Sequence, residues 1–372
     1  MEVLPIVRTS DVREVSRRRD RTVRVARAAA HLALIAAAVG CIAPSRQSNF
    51  GPPTRFRAAA RIENDVQQRG WRVNTAEQID LWLHGFALLT SDTGRVPFFA
   101  RGYKQQITAL KRQRNVYSLL DANQHELSSR FATNPELTNA QFLAMYFSSF
   151  QDIQRATDYF IRSGGNPRAA SDPNVQQEIA LLAANFRTEA DRKWLRLFVQ
   201  SLDDESKKFY HDYWTGEQQA RGAAFAQAVQ QWNNQYYPKL SRFLNNTQQS
   251  SGEVVLSVVL GGEGRTVNNG RQSNTVAVDF PKTVDAVPDF VFAFAHEAVA
   301  SVVDGVIRDN TTPAQTRSGL TSGYVGNGAV RGGALLLQRV HGRVDCLLFT
   351  SPDNDKGECG SNAAFLFRVH DY

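Results

Sequence analysis

Two side chains in the middle of a long apolar run have the chemistry for a site. The run is Phe294-Ala295-His296-Glu297-Ala298-Val299-Ala300. An imidazole beside a carboxylate can help hold a divalent cation or move a proton to or from a bound water. At about 100° per residue, Glu297, Ser301, Asp304 and Arg308 share one stripe of a helix, with His296 beside it above Ala300. Val291, Phe294, Ala298, Val302 and Val303 flank that stripe and are expected to be buried. Two readings stay open. In one, the stripe is the solvent-facing or ion-paired side of a core helix, with Arg308 on Asp304. In the other it is a site built on His296 and the neighbouring carboxylates.

The elements that would position these residues lie just upstream. Val254-Val255-Leu256-Ser257-Val258-Val259-Leu260 and Thr275-Val276-Ala277-Val278-Asp279-Phe280 are strand-forming runs. Gly261-Gly262-Glu263-Gly264-Arg265 and Asn268-Asn269-Gly270 separate them, and the pattern predicts an antiparallel hairpin with a long connection. A helix is expected from about Pro288 to about Arg308, with the proline in its first turn.

Strand, glycine-rich turn, strand and then a buried helix centred on His-Glu resembles the core of zincin metallopeptidases, over residues 253–310. In that family the motif is H-E-x-x-H: two histidines one turn apart bind zinc, and the glutamate activates the metal-bound water. The resemblance implies a zincin-like fold, with His296 in the place of the first ligand and Glu297 in the place of the base. Ala300 stands where the second histidine belongs, and no glutamate occurs between Glu297 and Glu358. The expectation is a degenerate, non-catalytic core without a cofactor, acting as a binding or scaffolding module for a protein or peptide partner. The alternative is an active zinc-dependent peptidase that draws replacement ligands from Asp304, His341 or elsewhere.

Other signals are weaker. The dipeptide His125-Glu126 recurs without any strand context. His84 and His211 sit among aromatic residues and are expected to be satisfied or half-exposed helix histidines. The Gly261–Arg265 run lacks the Gly-Lys-Ser/Thr ending of a phosphate loop, and no Gly-x-Ser-x-Gly elbow is present.

The chain has 372 residues and a net charge of +7. Residues 1–30 hold eight arginines against four acids, which supplies +4 of that charge. With the rest near neutral and no basic stripe interleaved with aromatics, a nucleic-acid partner is not expected. Arginines followed by the apolar run Ala28–Gly40 predict an export signal over 1–40. Ala38-Val39-Gly40-Cys41 resembles the bacterial lipobox, with Ala38 where leucine is usual. The resemblance implies lipidation at Cys41 and a membrane-anchored protein of the cell envelope, with its folded body outside the cytoplasm. Cys346 and Cys359 are then an even pair that an oxidising compartment allows to bridge. Residues 41–55 are expected to be a tether, 56–250 a helical region and 251–372 the zincin-like α+β region.

Within 56–250, Asn74 or Thr75 is expected to cap a helix carrying Ile79, Trp82, Leu83, Phe86 and Leu89. Further helices are expected from Leu137 through Ile153, as a pair over 175–186 and 191–202, and over 217–236. After the His-Glu helix, Gly319 to Gly328 is expected to be a connection, Ala329 to Val340 a helix, and 344–349 and 363–369 extended segments. Helices followed by a small sheet and a central buried helix make the expected class α+β.

Overall fold

The computed structural model describes residues 70–90, 98–262, 264–270 and 273–341. The signal and tether, Cys41, the Cys346–Cys359 pair and both tail segments lie outside them. The fold is α+β: many helices and one small mixed sheet.

The sheet differs from the expected hairpin. Its strands are β1 (Trp71–Asn74), β2 (Ser251–Ser257), β3 (Arg265–Gly270) and β4 (Ser273–Asp279), in the order β1-β2-β4-β3. β2 pairs parallel with both β1 and β4, and only β3 and β4 are antiparallel. The expected antiparallel partners therefore run side by side in the same direction, Ser251 opposite Ser273 and Ser257 opposite Asp279. The chain leaves β2, passes β4 to form the edge strand β3, and returns. Gly270 opposite Ser273 marks that return. Val254 to Leu260 and Val276 to Val278 are all buried, as strands covered on both faces must be.

β1 is the second correction. Residues 71–74, expected within a purely helical region, form a sheet strand, with Trp71 and Val73 buried. The following helix α1 (Glu77–Leu89) starts after Ala76, and no side chain caps it. Asn74 instead donates to Glu253 Oε2 at 2.8 Å across the parallel pair. Every residue of α1 from Ile79 to Leu89 is buried, so the helix is central to the body.

Around it lie α2 (Tyr103–Gln113), α3 (Leu119–Ala122), α4 (Gln124–Thr133), α5 (Phe150–Arg162), α6 (Pro173–Asn185) and α7 (Glu189–Glu205). The helix expected through 137–153 is two elements. Pro135–Tyr146 is a 3-10 helix, and α5 starts afresh where the Ser149 side chain accepts from the Asp152 N–H. α7 runs on through a π-helical turn, Ser206–Tyr210, into α8 (His211–Ala220). α9 (Gly222–Gln231), a second π turn (Trp232–Tyr236) and α10 (Tyr237–Asn246) complete this part.

The His-Glu helix is α11 (Val287–Asp309), which packs on β4 and β3. Phe294 meets Trp71 edge-on at 5.0 Å and Trp232 at 4.8 Å, joining α11, β1 and the second π turn in one hydrophobic core. A short α12 (Pro313–Arg317) leads to α13 (Leu320–His341), which runs back along α11. The glycine-rich stretch expected as a connection is thus mostly helix. The small residues of α13 permit close approach: a Cβ built on Gly333, further along the helix, would lie 2.9 Å from the His296 backbone nitrogen and Cα.

Candidate functional site

α11 presents His296 and Glu297 near the sheet edge, partly covered. Their side chains are 22% and 10% exposed, with Nδ1 and Oε1 3.7 Å apart. Glu297 Oε2 accepts a hydrogen bond from Thr266 Oγ1 on β3 at 3.0 Å. A Cβ on Gly264, just before β3, would stand 2.9 Å from Glu297 Cγ, so the start of the strand closes directly over this side chain. On the other flank, α13 seals the His296 backbone through Gly333.

Asp304 is not brought to this pair. It lies eight positions along α11, about 12 Å on the helix axis, whereas two donors of one zinc ion sit within about 4 Å of each other. Asp304 accepts from Arg308 Nε at 2.6 Å, the i,i+4 pair expected for a structural stripe. Ala300, one turn from His296, offers no donor. His341 is the last residue of α13, and its side chain lies outside the described residues. Among the described residues no three His, Cys, Asp or Glu side chains are gathered as a metal site requires. The described residues around His296 do not by themselves make a zinc ligand set. Burial around the stripe is also less complete than expected, since Val302 is 39% exposed.

A second polar cluster, deep in the helical body, was not foreseen from the sequence. Its hub is Glu205, the last residue of α7. Glu205 Oε2 accepts from Lys111 Nζ of α2 at 2.7 Å and from the Ser118 hydroxyl, and Oε1 faces His84 Nε2 of α1 at 3.1 Å. His84 Nδ1 lies 2.8 Å from the Tyr103 hydroxyl. Lys111 also reaches Asp121 at 2.6 Å. His84 and Glu205 are wholly buried and Lys111 nearly so.

Burial opposes ionisation of Glu205, but the hydrogen bonds from His84 and Lys111 outweigh it and hold the carboxyl below its ordinary range. Burial pushes His84 down, so the imidazole is neutral. The network then assigns the proton to Nε2, donating to Glu205, with Nδ1 accepting from Tyr103.

The π turn after Glu205 turns Phe209 and Tyr210 into the same interior, and Tyr213 follows them. Asp80, one turn before His84 on α1, accepts from Trp214 Nε1 at 2.9 Å. Burial drives the Asp80 carboxyl up to about 7. Among the described residues its Oδ1 has no hydrogen-bond partner. Perturbed groups of this kind often mark functional sites. Here they are closed from solvent, and their bonds run between helices: Glu205, His84, Lys111 and Ser118 tie α7, α1, α2 and the cap of α3 together. The one signal for them was ionisable residues, Asp80 and His84, at i,i+4 within an otherwise apolar helix. Their partners are far away in sequence. His84 is thus a satisfied core histidine. His211 is an exposed one whose pKa is raised by its bond to Glu77.

Comparison of the chain with protein-family models, curated proteins and solved structures gave no match.

Proposed function

We propose that the chain is an exported envelope lipoprotein, anchored through Cys41, whose zincin-like core is non-catalytic and serves as a binding or scaffolding module. The observation that carries this reading is the use already made of each candidate site group. Glu297 is bonded to Thr266, Asp304, about two turns further along α11, is bonded to Arg308, and Ala300 takes the place of a ligand. His296 is left as a lone imidazole, and a single histidine does not retain zinc against water. The address is supported by the arginine region, the apolar run and Cys41, and mass measurement of the mature N-terminus tests it: a chain beginning at Met1 contradicts it.

Metal analysis of the purified full chain, beside a His296→Ala variant, tests the core. The expected result is no stoichiometric metal in either protein and the same folding transition in both. Stoichiometric zinc that disappears on His296→Ala would instead favour the peptidase reading, with Glu297 as base.

A further inference from the structure

Between Thr93 and Leu120 the sequence contains six arginines and lysines and no acid. α2 occupies the centre of this stretch. Its inner stripe, Tyr103, Ile107 and Lys111, is buried, so the cations that are not used inside are turned outward. Arg101, Arg112 and Arg114 are exposed, and no carboxylate among the described residues pairs with them. After α2 the chain turns through Asn115, at φ 53°, and this presents Tyr117 at 68% exposure and Leu119 at 44%. These two are among the most exposed large apolar side chains of the described residues, and they follow arginines that no carboxylate among the described residues meets.

Intrahelical electrostatics explains only part of the pattern. Cations at a helix C-terminus favour the macrodipole, which suits Arg112 and Arg114. Arg101 stands at the opposite end, where the dipole opposes it. The acids nearest the turn are already engaged: Asp121 and Glu205 on Lys111, Asp204 on Lys208 and the Leu119 N–H, and Asp203 on Lys207. Among the described residues no carboxylate therefore meets this positive surface, with an amphipathic aromatic and an aliphatic side chain at its rim, and the Arg114 guanidinium lies only over the Phe209 ring, 5.7 Å from its centre.

We propose that the outward face of α2 and the Asn115 turn dock on an anionic lipid surface. Arg101, Arg112 and Arg114 meet headgroup phosphates, and Tyr117 with Leu119 enters the boundary between headgroups and acyl chains. An aliphatic side chain beside one tyrosine suits that boundary. Single-stranded nucleic acid would call for several aromatic faces on which to stack. The site goes beyond the proposed function, and shares with it only the membrane address.

Co-sedimentation of the full chain with vesicles tests it, using Cys41→Ser as the background so that no acyl anchor contributes. The N-terminal arginines are then common to every variant compared. Binding to phosphatidylglycerol-containing vesicles should exceed binding to pure phosphatidylcholine and fall as salt is raised. The double variant Arg112→Gln/Arg114→Gln should bind roughly 30-fold more weakly, about fivefold per arginine, while Arg187→Gln on another surface should not. Tyr117→Ser should remove binding that survives at high salt. If the double variant shows an altered urea midpoint, Arg101→Gln supplies the same comparison at the other end of the helix. Equal binding to both vesicle types overturns the proposal, as does undiminished binding of the arginine variants. Capture of a single-stranded oligonucleotide without vesicle binding overturns it in favour of nucleic acid. None of these outcomes bears on metal content, so failure here leaves the reading of the core standing.

Discussion

Asp80 shows how one buried group sets a pH dependence. In the unfolded chain its proton leaves near the ordinary value of 3.8, and in the fold it is kept to about 7, because burial disfavours the charge. Stability from this group is full below pH 3.8 and is lost as pH rises through 7. Asp80→Asn keeps an oxygen for Trp214 and removes the ionisation. Urea unfolding at pH 5 and pH 8 should therefore show the wild type losing ground against Asp80→Asn as pH rises, by about 3 kcal/mol, since about two units of the shift lie between pH 5 and the folded value. A stability difference independent of pH would mean that Asp80 is ionised in the fold. At this scale the sequence showed the local pairs and hid the distant ones. Asp304–Arg308 follows from an i,i+4 spacing. The bonds of Glu205 to His84 and Lys111 span 121 and 94 residues, and Thr266 to Glu297 crosses from strand to helix. No periodicity reports such contacts.

The packing of α13 on α11 turns on positions without side chains. A Cβ on Gly333 would meet backbone atoms of His296 and Ala295, which give way only if the two helices part. Gly323, in the same helix, has open space around its missing Cβ. Alanine in a helix interior normally stabilises by up to about 1 kcal/mol over glycine. Gly323→Ala should show that gain in urea unfolding, whereas Gly333→Ala should lose about 1–3 kcal/mol through overpacking. Equal gains at both positions would contradict the close crossing. Gly319, Gly323, Gly326 and Gly328 explain why the start of α13 was expected as a connection: local propensity disfavours helix there, and packing along α11 overrides it. α11 itself was legible to within a residue or so at each end, because its long apolar run and first-turn proline are local signals. The strand runs were legible as strands. Their direction was not, although an unbroken apolar run is what a strand covered on both faces requires, and antiparallel hairpins more often alternate. β1 was missed because four residues carry too little pattern, and its pairing partner Gly252–Val255 lies 181 positions along the chain.

At the scale of the whole molecule, the sheet, α11 and the helical body share one core, with Trp71, Trp232 and Phe294 at the junction. The buried polar groups Glu205, His84 and Lys111 are bonded to one another inside the helical body, and Arg101, Arg112 and Arg114 at and beside α2 meet no carboxylate among the described residues. We propose a module that presents surfaces, with no zinc-dependent reaction centre at His296 and Glu297. Linkage between zinc and folding tests that claim most directly, because any ion held by the native state alone raises stability, by about 2.7 kcal/mol at one hundred times its Kd. The measurement is urea unfolding of the full chain and of His296→Ala with and without added zinc. The account predicts coincident transitions in all four samples. A zinc-dependent rise in the wild-type midpoint that is lost in His296→Ala would contradict it.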